Sequence, residues 1–81
     1  MARTFASPQH KTLGALLAEW RRAAGLRQVD LAKRLRRGQD YVSDVETGQK
    51  ILGVIELMEW ADAIGFDARD AIKSLYKTAK K

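Results

Sequence analysis

The chain has 81 residues, one histidine and no cysteine, which gives one domain and excludes a disulfide framework, a thiolate metal site and a thiol nucleophile. Its net charge is +5, and 46% hydrophobic with 31% charged residues fits a folded domain rather than a disordered one. Apolar runs reach only about five residues against the roughly 20 of a membrane span, and no secretory signal opens the chain, so the expectation is a soluble cytoplasmic protein with no membrane partner.

Few β-branched runs and one proline point to helices. Ser7-Pro8 starts the first: serine caps free N–H groups, and proline suits the first helical position. Leu13, Leu16, Leu17, Trp20 and Ala24 then recur at helical spacing, and Gly25 ends the stripe. Leu31, Ala32 and Leu35 mark a short second helix, Gln28–Leu35, followed by Arg36-Arg37-Gly38 as a connection in which Gly38 permits the turn. Val42 and Val45 are the inward side of a third helix over 39–47, which Gly48 stops. After a loop at 49–53, Val54, Leu57, Ala61 and Ile64 predict a fourth helix ended by Gly65. Phe66 plugs the core in the next turn. Asp67 caps a fifth helix whose Ala71, Ile72 and Leu75 face inward.

The expectation is an all-α, five-helix domain over 7–77, with a flexible N-terminal arm at 1–6 and a basic tail at 78–81. Its core comprises Leu17, Leu31, Ala32, Leu35, Val42, Val45, Leu57, Ala61 and Ile64.

Charge is segregated. Residues 21–37 hold Arg21, Arg22, Arg27, Lys33, Arg34, Arg36 and Arg37 against Asp30 alone, a net +6, whereas 38–70 carry a net −6. A basic block of this kind suits a polyanion, most simply nucleic acid; the bland reading is a solvated helix face. Two short helices joined by about three residues form a helix-turn-helix arrangement, whose second helix can enter a major groove.

The run Leu26-Arg27-Gln28-Val29-Asp30-Leu31-Ala32-Lys33-Arg34-Leu35, with Tyr41-Val42-Ser43-Asp44-Val45-Glu46-Thr47-Gly48, resembles the phage repressor and Cro-type (XRE-like) helix-turn-helix family. Gln28, the Leu31-Ala32 pair, Leu35, Ser43 and Glu46-x-Gly48 carry the resemblance, and Leu57, Ala61, Ile64 and Gly65 match the family's fourth helix. The sequence departs from the family at Arg36, where a glycine is common, and at Gly38, where a polar cap or proline is common.

The resemblance implies a lambda repressor-like fold and sequence-specific binding of double-stranded DNA, on a palindromic operator, by a small homodimeric transcription regulator. It places Gln39, Asp40, Tyr41 and Asp44 at base edges, and Gln28, Ser43, Thr47, Gln49 and Lys50 near phosphates; Lys33, Arg34, Arg36 and Arg37 flank the unit and can meet phosphates, Arg37 being taken as a further contact. Arg21 and Glu46 form a structural ion pair. With Val42 and Val45 inward, positions 40, 41 and 44 point outward. Glutamine can bond adenine and a carboxylate can accept from cytosine; Asp40 and Asp44 either read bases so or repel phosphate. Trp60, next to Ala61, is expected partly exposed, as the anchor of a dimer interface within 52–76.

His10 is a surface residue. One histidine and no glycine-rich phosphate loop leave no catalytic set, and no cofactor or metal is implied. The rival reading is a protein-interaction module on the same fold, such as an antitoxin that grips a toxin or a coactivator-like partner binder.

Overall fold

Five α-helices make up the chain in the computed structural model, which describes residues 7–79: α1 (Pro8–Ala23), α2 (Gln28–Leu35), α3 (Gln39–Glu46), α4 (Val54–Ile64) and α5 (Ala68–Ala79). The described residues contain no strand. The expectations for residues 1–6, and for Lys80 and Lys81 of the tail, lie outside the described residues.

Local chemistry sets most helix ends. The Ser7 hydroxyl accepts from the His10 N–H at 3.2 Å, and the His10 ring nitrogen Nδ1 lies 2.6 Å from the same oxygen. His10 is therefore a half-buried part of the α1 cap. At α2, the Asp30 carboxylate accepts from the Arg27 N–H and from its guanidinium, each at 2.9 Å. That contact with Arg27 holds the Asp30 carboxyl down to about 2. At α4, Glu56 Oε1 accepts from the Gly53 N–H at 2.9 Å, half of a capping box.

The α2–α3 turn corrects one expectation. Gly38 is not the residue that permits it: Gly38 has φ −77° and is the N-cap of α3, while Arg36 takes the left-handed conformation at φ 59°. The cause is the way α2 ends. The Arg37 N–H reaches back to the Ala32 carbonyl at 2.9 Å, which requires a left-handed residue just before it. A side chain there costs about 1–2 kcal/mol, which explains why glycine is common at this place in the resembling family.

The core is one cluster built from all five helices. Leu13, Leu17, Leu31, Ala32, Val42, Val45, Leu57, Trp60 and Ala71 are buried together, with Leu35, Ile64 and Phe66 packed at its edge. Trp20 and Phe66 meet with ring centroids 4.5 Å apart.

Several expected positions differ, among them Ala24, which is exposed at the end of the α1 stripe. Trp60 is 0% exposed and central, so it is not a partly exposed interface anchor. Val54 is 67% exposed because it opens α4 on the solvent side of the Leu57–Trp60–Ala61 stripe. Ile72 is exposed because Ala71 and Leu75 supply the inward face of α5.

α1 crosses the end of α3 at Gly14. A methyl group there would meet the Glu46 carbonyl oxygen at 2.6 Å and the Val45 carbonyl oxygen closer still. These are backbone atoms and cannot swing aside. Alanine stabilises an open helical position by up to about 1 kcal/mol over glycine. Gly14→Ala is expected to do the opposite, lowering the urea midpoint by an amount equivalent to about 1–3 kcal/mol, as overpacking does. An unchanged or raised midpoint would overturn the close crossing.

Candidate nucleic-acid interface

α3 is eight residues long and has three environments around its circumference. Val42 and Val45 are buried against the core. Gln39, Asp40 and Asp44 are exposed and form the outer row. Tyr41 belongs to neither: it is half-buried and turned toward α4, which corrects the expectation that it points outward. The Trp60 indole N–H donates to the Tyr41 hydroxyl at 3.1 Å, and that hydroxyl donates weakly to Glu56 Oε2 at 3.4 Å. Burial pushes the Tyr41 hydroxyl above its ordinary range, and the Glu56 charge adds to the effect, so it stays protonated and can donate.

The two ends of α3 are anchored differently. At its C-terminal end Glu46 meets Arg21 in a fork: Nε to Oε2 at 2.7 Å and Nη2 to Oε1 at 3.1 Å. The side chains are 9% and 5% exposed. The third donor, Arg21 Nη1, goes to the Leu26 carbonyl at 2.8 Å. Glu46 Oε1 also accepts from Gln28 Nε2 at 2.9 Å, and Gln28 Oε1 accepts from Gln39 Nε2 at 3.3 Å. A continuous line of polar contacts therefore runs from α1 through the end of α3 to the first residue of α2, and on to the first residue of α3. Gln28 is positioned by this line, and Gln39 is steered by it while remaining exposed.

The loop after α3 folds back on its carbonyl end. The Thr47 hydroxyl donates to the Ser43 carbonyl at 3.0 Å, and the Gln49 N–H donates to the Asp44 carbonyl at 2.8 Å. Gly48 sits at φ 81° so close to α1 that a Cβ would lie 2.8 Å from the Lys11 Cα. This brings Thr47, Gln49 and Lys50, all exposed, to the end of the helix that carries Gln39, Asp40 and Asp44. Ser43 is half-buried between the outer row and the core.

The basic block is less free than its composition implies. Arg21 is buried in its pair, Arg27 is paired with Asp30, and Arg34 Nη1 donates to the Ala63 carbonyl near the end of α4 at 2.7 Å. The Arg37 guanidinium lies 4.6 Å from the Tyr41 ring centre and 3.9 Å from Glu56 Oε2. Among the described residues Arg22, Lys33 and Arg36 are exposed, and Lys33 lends its charge to Asp30. Sequence reasoning missed the contacts of Glu56 and the structural use of Arg34. Glu56 had a signal, its place three residues after Gly53 at a helix start. Arg34 had none, since its partner is a backbone carbonyl 29 residues away.

The helix-turn-helix domain family matches residues 12–72, three-quarters of the chain. An XRE-family like protein from Pseudomonas syringae pv. tomato str. DC3000 is 38% identical, with a TM-score of 0.77 over 86% of this chain and 85% of that one. The chain is a member of the XRE helix-turn-helix family. The restriction-modification controller protein C.AhdI from Aeromonas hydrophila is 29% identical to this XRE-family chain, with a TM-score of 0.76 over 80% of this chain and 98% of that one. The clp gene regulator ClgR from C. glutamicum is 25% identical, with a TM-score of 0.80 over 89% and 94%. The fold is also that of the controller protein C.Esp1396I, whose tetramer is solved in complex with its natural 35 base-pair operator; it is 20% identical, with a TM-score of 0.77 over 93% and 99%. No curated protein sequence matches the chain.

The family is one of regulators rather than enzymes. Among the described residues no helix is long and apolar enough to cross a membrane, and no three potential metal ligands cluster.

The fork of this XRE-family chain is testable by a double-mutant cycle on Arg21 and Glu46. Arg21→Met or Glu46→Gln alone leaves a partner charge or donor set buried, which costs about 3–5 kcal/mol. The double variant is expected to lose less than the sum of the two, as measured by urea unfolding. Strict additivity would reject the coupling.

Proposed function

We propose that the chain is a dimeric transcription regulator that reads double-stranded DNA by sequence, with α3 in the major groove. The observation that carries this reading is the polar line Arg21–Glu46–Gln28–Gln39, which fixes the exposed start of α3 from behind. A scaffold that orients a glutamine amide at a helix surface suits bidentate bonding to a base edge. The operator complex of C.Esp1396I, which has the same fold, supports it.

Within this reading Gln39, Asp40 and Asp44 face base edges. Gln28, Arg37, Ser43, Thr47, Gln49 and Lys50 meet phosphates around them. Tyr41 supports α3 from the inside rather than reading bases, because its hydroxyl is already engaged with Trp60.

One short helix reads only a few base pairs, so two copies on a palindromic site, with their recognition helices about 34 Å apart, are needed for specificity. The interface we assign is the outer side of α4 and the loop before it. Ile51, Val54, Ile55 and Met58 are exposed there, the last two at 68% and 52%. A contiguous apolar patch of this kind marks an interaction surface. The domain proper spans 7–77, and its place of action is the cytoplasm.

Selection of bound duplexes from a random pool tests the function directly. A palindromic motif is the expected result, and no enrichment would shift the reading to a partner-gripping module such as an antitoxin. Lys50→Ala is expected to weaken binding to all sequences alike and to flatten the salt dependence by about one unit of slope. Gln39→Ala is expected to cost about 1–3 kcal/mol on the selected site and to relax one base pair per half-site. Asp44→Ala separates its two uses: weaker site binding with tighter nonspecific binding marks a cytosine contact, and uniform tightening marks simple repulsion.

Assembly has its own measurement. The wild type should sediment as a dimer at tens of micromolar, and Ile55→Lys should give a folded monomer. A monomeric wild type, still monomeric on DNA, would defeat the dimer.

A further inference from the structure

Arg37 is the first residue beyond the left-handed turn, immediately before the cap of α3, and it is assigned to a phosphate. Yet its guanidinium is already occupied. It lies over the Tyr41 ring, 4.6 Å from the centroid, and its Nη1 is 3.9 Å from Glu56 Oε2. The same Oε2 accepts from the Tyr41 hydroxyl, while Oε1 accepts from the Gly53 N–H and so caps α4. One carboxylate thus touches the start of α4, the inner side of α3 and the cation at the entrance to α3.

We infer that Glu56 is a positioning residue that holds Arg37 in an autoinhibitory contact, so that the chain binds DNA with one cation withheld. The inference rests on the DNA-reading proposal. Its logic is competition for one charge. A phosphate and the Glu56 carboxylate are both anions seeking the same fork of donors, and the aromatic face of Tyr41 favours the guanidinium in its present place. Both partners are partly exposed, 41% for Arg37 and 29% for Glu56, so the pair is a modest one, but while it holds Arg37 neutralises no phosphate. Its effect falls on grip and leaves base reading alone, because Gln39, Asp40 and Asp44 are not part of the cluster. Affinity for random sequence is lowered while discrimination is kept.

The experiment uses Glu56→Gln in the full chain, measured by titration of the selected duplex and of a scrambled duplex at two salt concentrations. Glutamine keeps one oxygen for the Gly53 N–H, turns its NH2 toward the Tyr41 hydroxyl, which can accept, and removes the charge. The expected result is about two- to five-fold tighter binding to both duplexes, the range that release of one exposed ion pair allows. The salt slope should steepen by about 0.9, one more phosphate neutralised.

Two further variants isolate the cause. In an Arg37→Ala background the gain from Glu56→Gln should vanish; Glu59→Gln, an exposed acid on the same helix, should leave the salt slope unchanged. A gain that persists without Arg37, or that Glu59→Gln reproduces in full, is general charge relief and overturns the inference. So does an unchanged slope in Glu56→Gln with its unfolding midpoint intact. If Glu56→Gln unfolds instead, Tyr41→Phe decides: it removes the hydroxyl but keeps the ring and all charges, so the salt slope should stay at the wild-type value, and a steepened slope overturns the inference. Failure of the wild type to bind either duplex refutes the DNA reading itself and is seen before any variant is made.

Discussion

The fold turns on one buried charge pair. Removing the Arg21 guanidinium and the Glu46 carboxylate from water is costly, and the attraction between them offsets that cost only if the remaining donors and lone pairs are also satisfied. Here they are: the fork takes both carboxylate oxygens, Nη1 takes the Leu26 carbonyl, and Gln28 shares Oε1. Meeting those requirements draws α1, the loop before α2, the first residue of α2 and the last residue of α3 to one point. Gly14 allows the approach, because α1 must come within backbone contact of the same carbonyl end of α3. The pair therefore specifies which helices meet and at which residues, a geometric role that non-directional apolar burial cannot supply alone.

With its C-terminal end fixed by charge, α3 is secured on its inner side by other chemistry. The indole N–H of the buried Trp60 needs a partner, and Tyr41 provides it; the Tyr41 hydroxyl in turn finds Glu56. Among the described residues no buried side-chain polar atom lacks a partner, which is the condition under which a polar network rigidifies a small domain. Anchored this way, the helix leaves Gln39, Asp40 and Asp44 as the row turned to solvent. Its outer row can vary without disturbing the supports beneath.

The helix boundaries were legible in the sequence because their causes are local. Ser7-Pro8 caps and starts α1, Gly48 and Gly65 take positive φ at the ends of α3 and α4, and the stripes of α1 to α3 have a single apolar face each. The phase of α4 was only partly legible: Leu57, Ala61 and Ile64 were placed inward correctly, Val54 and Trp60 were not. It carries Val54, Ile55, Leu57, Met58, Trp60, Ala61 and Ile64 in eleven residues, so apolar side chains lie around most of its circumference and spacing alone admits neighbouring rotations. What decides the phase is the bond from Trp60 to Tyr41, between residues 19 apart in sequence. The same blindness to distant partners hid the fate of the arginines. Arg34 reaches a backbone carbonyl of α4, and Arg37 turns to Tyr41 and Glu56, neither of which a count of charges registers. The Arg21–Glu46 pair was reached from family resemblance; no periodicity links positions 25 apart.

This consumption of charge changes what the basic block means. Four of its seven cations are engaged within the fold, by Glu46, Asp30, the Ala63 carbonyl and Glu56. The helix proposed to enter the groove adds Asp40 and Asp44 to its outer row and no cation of its own. Sequence-independent affinity for DNA scales with the phosphates neutralised, so a surface with few free cations and two aspartates at its centre grips random duplex weakly. Weak grip has a consequence for specificity. Discrimination is the difference between site and nonspecific affinity; weak grip lowers both alike, so discrimination rests on well-oriented base-edge bonds. The polar line behind Gln39 supplies such orientation in the proposed reading, in which a second copy on a palindrome would double the base-edge contribution. The proposed dimer would gain site affinity from alignment of two fixed helices in addition to its phosphate contacts, which places the demand for rigidity on the buried pair that holds each helix.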